Sequence, residues 1–73
     1  MRNYDLKKIG NNLRILRTNN SWKFSYVSKK TEIEENRLRN LEKGIVVPNH
    51  FELYNLSRLF GVSIDDIVYR DLK

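Results

Sequence analysis

KFSYVSKKTEIEENRLRNLEKG, residues 23–44, contains two short helical patterns with a turn between them. The first pattern is weak, since Val27 is its only clearly apolar aliphatic residue. The second has apolar residues at the steps of a helical stripe and ends before Gly44, a residue type that commonly stops a helix in a left-handed conformation. The stretch therefore predicts a short helix over residues 23–31 and a better-defined helix over residues 35–42.

Three further helices are predicted on the two sides of this stretch. The first has an apolar stripe made of Leu6, Ile9, Leu13 and Leu16. That stripe predicts a helix over residues 5–18, and a second stripe predicts a helix over residues 51–60. Ser63, with Asp66 three residues later, has the spacing of a helix N-cap and opens a last short helix. We therefore expect an all-α protein, a compact five-helix bundle.

Length and composition make several classes of function poor candidates. The 73 residues are expected to form one domain, 1–73, with little volume for a deep active site. Cysteine is absent and His50 is the single histidine, so thiolate chemistry and metal binding lack their usual ligands. No apolar run is long enough for a membrane span, and residues 1–5 lack a signal-peptide core. We expect a cytoplasmic protein that is not an enzyme and has no cofactor, metal or small-molecule substrate.

The charge of the chain is unevenly distributed along it. The net charge is +5, but residues 1–44 carry eleven Lys/Arg against five Asp/Glu, whereas residues 45–73 carry three against four. Such asymmetry favours a polyanionic partner for the first part, although charge alone does not separate nucleic-acid binding from a solvated basic surface.

The spacing of apolar, basic and turn residues over residues 6–68 resembles the phage-repressor and Cro type of helix-turn-helix protein. The residues that carry the resemblance are Leu13, Arg14, Leu16, Arg17, Trp22, Val27, Ser28, Ile33, Leu38, Leu41, Glu42, Gly44, Pro48, Leu53, Leu56, Leu59, Gly61, Val62, Ser63 and Ile67. The resemblance implies the lambda-repressor-like fold, with the second helix across the DNA backbone and the third in the major groove. In that arrangement Ser28 is the small residue that lets the two helices pack closely.

Two residues depart from the family pattern. Glu32 stands where the family usually has a glycine in the turn, and a glutamate at positive φ costs on the order of 1 kcal/mol, so the turn could take another shape here. Phe24 stands where many members have a glutamine that binds phosphate. That contact is lost or replaced.

The outward positions of the third helix are the candidate base readers. They are Glu35, Asn36, Arg37 and Asn40. Arginine can pair with guanine, asparagine with adenine, and glutamate can accept from the cytosine amino group. The alternative is a solvated polar face. Asn36 and Arg37 are the strongest candidates because they fall in the first turn.

Phosphate contacts are expected at the two ends of the motif, where positive charge and unpaired N–H groups coincide. The candidates are Lys23, Ser25, Lys43 and the backbone of Gly44. Three other cations, Lys29, Lys30 and Arg39, are interpreted as ordinary solvated charges.

Arg17 and Glu42 occupy positions that the resemblance assigns to a partly buried ion pair between the first and third helices. An acid or base role for Glu42 lacks a partner residue. We expect the pair to be structural, because an arginine and a carboxylate can join in two parallel hydrogen bonds.

The aromatic residues of the chain could stack on bases, but their scatter at core-like positions favours packing. They are Trp22, Tyr26, Phe51, Tyr54, Phe60 and Tyr69. His50 is expected in a loop near the fourth helix, and Asp65 with Asp66 is interpreted as a helix start and not as a metal site.

The sequence predicts a sequence-specific transcriptional regulator, a repressor that binds double-stranded DNA as a homodimer on a two-fold operator. The expected dimer surface is the last helix and tail, with Val68, Tyr69 and Leu72. The alternative is a protein-interaction module, antirepressor or antitoxin-like, on the same fold. It draws support from the acidic cluster formed by Glu32, Glu34 and Glu35.

Overall fold

The computed structural model describes residues 4–72, which form α1 (Leu6–Asn19), α2 (Phe24–Thr31), α3 (Glu35–Lys43), α4 (His50–Phe60) and α5 (Ile64–Val68). The prediction of an all-α, five-helix bundle is confirmed, and the first four helices begin and end within one residue of the expected bounds. Residues 1–3 and 73 lie outside this description. The expectation that residues 1–5 lack a signal-peptide core therefore falls partly on residues that the structure does not describe. His50 is the first residue of α4, so the expectation that it lies in a loop is wrong.

Polar side chains begin three of the helices. Asp5 caps α1 by accepting from the Lys8 N–H at 3.1 Å. The predicted capping box of Ser63 and Asp66 is present at α5, and the pKa of Asp66 is lowered, first by the Ser63 N–H and then by Arg70. A second capping box, between Asn49 and Glu52 at α4, was not anticipated. These caps satisfy N–H groups that have no partner inside a helix.

Left-handed residues end three of the helices. Gly44 and Gly61 follow α3 and α4 with φ of 73° and 69°. After α2 the same conformation is held by Glu32 with φ of 62°, and its N–H donates to the Ser28 carbonyl at 2.8 Å. The turn therefore keeps a left-handed residue despite the missing glycine, and the differently shaped turn left open by the sequence is ruled out. A non-glycine residue in this conformation costs roughly 1–2 kcal/mol.

The core lies between the helices, where α1 packs on α3 and α5, α2 packs on α3 and α4, and α4 packs on α5. Its fully buried apolar side chains are Ile9, Leu13, Val27, Ile33, Leu38, Leu41, Leu53, Leu56, Ile67 and Val68. α1 packs most extensively on α3, and Gly10 permits this, since a Cβ there would lie 2.5 Å from the Glu42 carbonyl oxygen and 2.6 Å from that of Leu41. Any side chain at position 10 would push the two helices apart. In α2, Val27 is buried, whereas Ser28 is only half-buried.

Asn12 fastens the end of the chain to α1. Its buried amide donates to the carbonyls of Ile67 and Arg70 at 2.8 and 2.6 Å, and its oxygen accepts from the Leu72 N–H at 3.1 Å. Val68 is 3% exposed and belongs to the core. The structure therefore corrects one residue of the expected dimer surface, because Val68 is not available to a partner, whereas Tyr69 is exposed and Leu72 is half-buried.

The expectation that all the aromatic residues pack in the core is also corrected. Trp22 and Phe60 are half-buried against the core, with ring centroids 5.7 Å apart. The other four residues are exposed, namely Tyr26, Phe51, Tyr54 and Tyr69.

Candidate nucleic-acid interface

The outer face of α3 is polar and turned away from the core. Leu38 and Leu41 are the buried residues of this helix, whereas Asn36 and Lys43 are exposed and Asn40 is half-buried. Positions 36, 40 and 43 are separated by four and three residues, so they lie on one helical face. Two predicted base readers and one predicted phosphate contact are thus brought together.

α3 is held against α1 by Arg17 and Glu42, as the sequence interpretation expected. Arg17 Nε and Nη2 donate to the two carboxylate oxygens of Glu42 at 2.7 and 3.1 Å, and Arg17 Nη1 donates to the Trp22 carbonyl at 3.0 Å. The side chains of Arg17 and Glu42 are only 16% and 10% exposed. Both carboxylate oxygens of Glu42 accept from Arg17, so the pair fixes the position of α3 against α1.

The structure corrects the expectation that Arg37 reads a base. Its Nε and Nη2 donate to the Glu52 carboxylate at 2.8 and 3.0 Å, and Nη2 also donates to the Val47 carbonyl at 2.9 Å. The guanidinium fork is therefore occupied by α4 and by the loop before it. Arg37 lies in the first turn of α3, as expected, but on the side that packs toward α4.

Glu52 is buried at the start of α4 and serves two partners. Besides Arg37, it accepts from the Asn49 N–H at 2.9 Å in the capping box. Burial by itself raises the pKa of Glu52, but the hydrogen bonds from Arg37 and Asn49, with the charge of Arg37, outweigh burial and hold that pKa below the ordinary glutamate value. The same hydrogen bond raises the pKa of Arg37. The pair is a charged link between α3 and α4.

Phe24 lies under two arginines at the other flank of α3. The guanidinium carbon of Arg17 is 4.0 Å from the Phe24 ring centroid, and that of Arg39 is 5.0 Å away. Arg39 also makes long polar contacts of 3.4 Å to Asn36 and 3.5 Å to Glu35. The residue that departs from the family pattern is thus a cation–π platform at the first residue of α2.

Three of the four candidate phosphate contacts are exposed in the structure, and the fourth is buried. Lys23 and Ser25 are exposed at the start of α2, which has no side-chain cap, and Lys43 is exposed at the end of α3. Gly44 is buried and its N–H donates to the Leu41 carbonyl at 3.1 Å. The expectation for Gly44 is therefore corrected, because its backbone N–H already ends α3 and is not free for phosphate.

The acidic cluster lies beside the start of α3. Glu32 and Glu34 are exposed, Glu34 is the N-cap of α3, and Glu35 is half-buried with Arg39 as its partner. Among the described residues no group of three metal-ligating side chains comes together, and none of the helices there is long and apolar enough to cross a bilayer. At the start of α5, which the sequence interpretation assigned to Asp65 and Asp66, Asp66 forms an ion pair with Arg70 at 3.2 Å.

Sequence reasoning missed the structural roles of five residues, namely Gly10, Asn12, Phe24, Arg39 and Glu52. A signal existed for Glu52, because Asn49 and Glu52 have the same spacing as the predicted capping box at α5. A glycine inside a strong helical stripe was a signal for close packing at Gly10. The other three depend on which helix lies opposite, and that is not visible in a linear pattern.

No protein-family model matches the sequence, and the curated proteins give no significant match. Solved structures do resemble the chain. The N-terminal DNA-binding domain of SinR from Bacillus subtilis gives a TM-score of 0.84 at 18% identity, covering 92% of this chain and 99% of that one. The restriction-modification controller protein C.AhdI from Aeromonas hydrophila gives 0.81 at 19%, covering 86% and 96%. The P22 c2 repressor, solved with a synthetic operator, gives 0.80 at 20%, covering 84% and 92%. The chain therefore has the lambda-repressor-like helix-turn-helix fold.

Proposed function

We propose that this chain is a sequence-specific DNA-binding transcription regulator, a cytoplasmic repressor that acts as a homodimer on a two-fold operator. The observation that carries the proposal is the outer face of α3, where Asn36, Asn40 and Lys43 point away from the fold beside the uncapped start of α2. In the helix-turn-helix geometry this face enters the major groove. The similarity to the SinR domain and to the operator-bound P22 c2 repressor supports the same conclusion.

The side chains of this face have distinct roles in the proposal. Asn36 and Asn40 can each bind an adenine edge, and Glu35 can accept from a cytosine amino group when it leaves Arg39. Lys23, with Ser25 near the start of α2, and Lys43 at the end of α3 bind phosphates and carry no sequence information.

A second copy of the chain completes the proposed operator complex. One module of this size makes few contacts, and two half-sites one DNA turn apart add their binding energies. Three exposed apolar side chains follow α3 and could cover one another across a two-fold axis: Ile45, Val47 and Phe51 are 59%, 58% and 58% exposed. Their position next to α3 couples the spacing of the two recognition helices to the dimer contact. Sedimentation of the wild type and of Phe51→Glu tests this surface, since the variant is expected to be monomeric.

The experiment for the function is selection of bound sequences from a random duplex pool. Enrichment of a two-fold motif is expected, and affinity for the selected duplex should fall with salt, by about 0.9 in log affinity per log salt for each neutralised phosphate. The slope should reach several units for a dimer. A pool that stays unenriched, or an affinity that does not change with salt, would reject the proposal.

The acidic cluster favours a second candidate, a protein-interaction module of antirepressor or antitoxin-like type. Glu32 and Glu34 expose two carboxylates beside the start of α3, where they approach the phosphates of a bound duplex. Replacing both by glutamine distinguishes the two functions. If the chain is a DNA-binding regulator, the affinity of the variant for DNA should rise, because repulsion is removed. If the chain is a module that binds a basic protein, the variant should still not bind a duplex.

A further inference from the structure

The two arginines on the exposed side of α3 differ in what their guanidinium groups can still bind. Arg37 has its Nε and Nη2 committed to Glu52 and to the Val47 carbonyl at 2.8 to 3.0 Å. Arg39 is 46% exposed at its side chain, and its polar contacts are 3.4 and 3.5 Å long. Contacts of that length lie at the limit of hydrogen bonding, so they exchange easily for a better acceptor. Arg39 is therefore the arginine of α3 whose donors are less firmly held and more exposed to DNA.

Phe24 holds this arginine in place without using its donors. The Arg39 guanidinium lies 5.0 Å from the Phe24 ring centroid, and the Arg17 guanidinium lies 4.0 Å from the same centroid. A guanidinium stacked on an aromatic ring keeps its N–H groups free at the edge of its plane. Arg17 is itself fixed by Glu42, so the ring is anchored in the fold.

Arg39 shares its helical face with the proposed base readers. It follows Asn36 by three residues and precedes Asn40 by one, so the three side chains form one contiguous surface. The Glu35 carboxylate, 3.5 Å from the Arg39 guanidinium, repels a phosphate from this position. A guanine edge is uncharged and presents two acceptors that match the fork. The surroundings thus favour a base over a phosphate as the partner of Arg39.

We propose that Arg39 is the specificity-determining arginine of α3, reading a guanine with its guanidinium fork, and that Phe24 is its positioning residue. This inference rests on the proposed DNA-binding function and names the residue that selects one base pair within the operator. It also gives Phe24 a role. The ring makes no phosphate contact of its own, and it orients Arg39, which binds the DNA.

The test compares variants on the selected duplex, on a random duplex, and on selected duplexes in which each guanine in turn is replaced by 7-deazaguanine, which lacks the N7 acceptor. Arg39→Ala should weaken the selected duplex by about 5- to 150-fold, with a much smaller loss on random DNA. Arg39→Lys keeps the charge but not the fork, so it should lose the same selectivity. One deazaguanine position should weaken the wild type and leave Arg39→Ala unaffected.

Two further variants separate positioning from folding. Phe24→Leu should lose part of the selectivity, whereas Phe24→Tyr, which keeps the ring, should retain it at an unchanged melting temperature. The matched control is Arg14→Ala, since Arg14 is an exposed arginine of α1 whose side chain donates to Asn11 one turn away. It should weaken both duplexes equally and only slightly.

The outcomes distinguish this inference from the function on which it rests. A wild type that enriches no sequence rejects both. Enrichment by the wild type with equal losses for Arg39→Ala on selected and random DNA makes Arg39 a phosphate contact and overturns only the inference. Enrichment with no loss for Arg39→Ala, or full selectivity in Arg39→Lys, also overturns the inference and leaves DNA binding standing.

Discussion

The two flanks of α3 hold chemically identical side chains in opposite states. On the α4 flank, Arg37 donates from Nε and Nη2 to a buried carboxylate and a carbonyl, and it joins two helices. On the α2 flank, Arg39 lies on the Phe24 ring, with long contacts to exposed neighbours of its own helix. The difference teaches that residue type does not decide which arginine can reach DNA. The helix that lies opposite decides it.

The buried link between α1 and α3 should show the largest effect on stability. Glu42→Ala leaves Arg17 without its carboxylate in a site where the two side chains are only 16% and 10% exposed. The free energy of unfolding should fall by roughly 3 to 5 kcal/mol, measured by denaturant titration. Arg39→Ala serves as the control and should cost no more than about 1 kcal/mol. A melting temperature shifted by less than a degree in Glu42→Ala would show that this pair is not structural.

The α4 flank should be more sensitive to substitution than the α2 flank. Glu52→Ala removes the partner of Arg37 and an acceptor of the Asn49 N–H, so a loss of about 1 to 3 kcal/mol in unfolding free energy is expected. Glu35→Ala, which removes the exposed partner of Arg39, should cost about 0.5 kcal/mol or less. Equal losses in the two variants, measured by thermal unfolding, would erase the contrast between the flanks.

Acid should weaken the α4 flank selectively. The pKa of Glu52 is lower in the folded chain than in the unfolded chain, so its contribution to stability is complete above the ordinary glutamate pKa of about 4.3. It is lost as the pH falls through the folded-state value. The stability difference between wild type and Glu52→Gln should therefore shrink as the pH falls below about 4.3. For Ser25→Ala, which removes no ionisable group, the difference should stay constant; a constant difference for Glu52→Gln would contradict the charged link.

The smallest effect is expected at the α2–α3 turn. Glu32 has φ of 62°, and Glu32→Gly should relieve the strain and raise the unfolding free energy by about 1 kcal/mol, or the melting temperature by about 4–8 °C. The control is Glu34→Gly, because Glu34 has φ of −58° and carries no such strain. Stabilisation of similar size in both variants would show that removal of negative charge, and not the backbone conformation, is the cause.

Much of the fold could be predicted from the sequence because helix periodicity and stop signals are local. The stripe of α1, the weak pattern of α2 and the stop at Gly44 gave helix ends within one residue. The Arg17–Glu42 pair followed from the family resemblance, and the structure shows the two residues joined by two hydrogen bonds. Such features depend on spacing along one chain segment or on a known arrangement of the fold.

The tertiary structure decided which side chains remain free. Arg37 and Arg39 are two residues apart in one helix, and nothing in their local sequence shows that Glu52 occupies the first while Phe24 supports the second. In the same way Val68 is expected at the dimer surface from the sequence, yet it is buried in the core. The sequence determined where the helices begin and end, because those signals lie within a turn of each other. The partners of polar side chains come from distant segments, so only the packing of the helices could assign them.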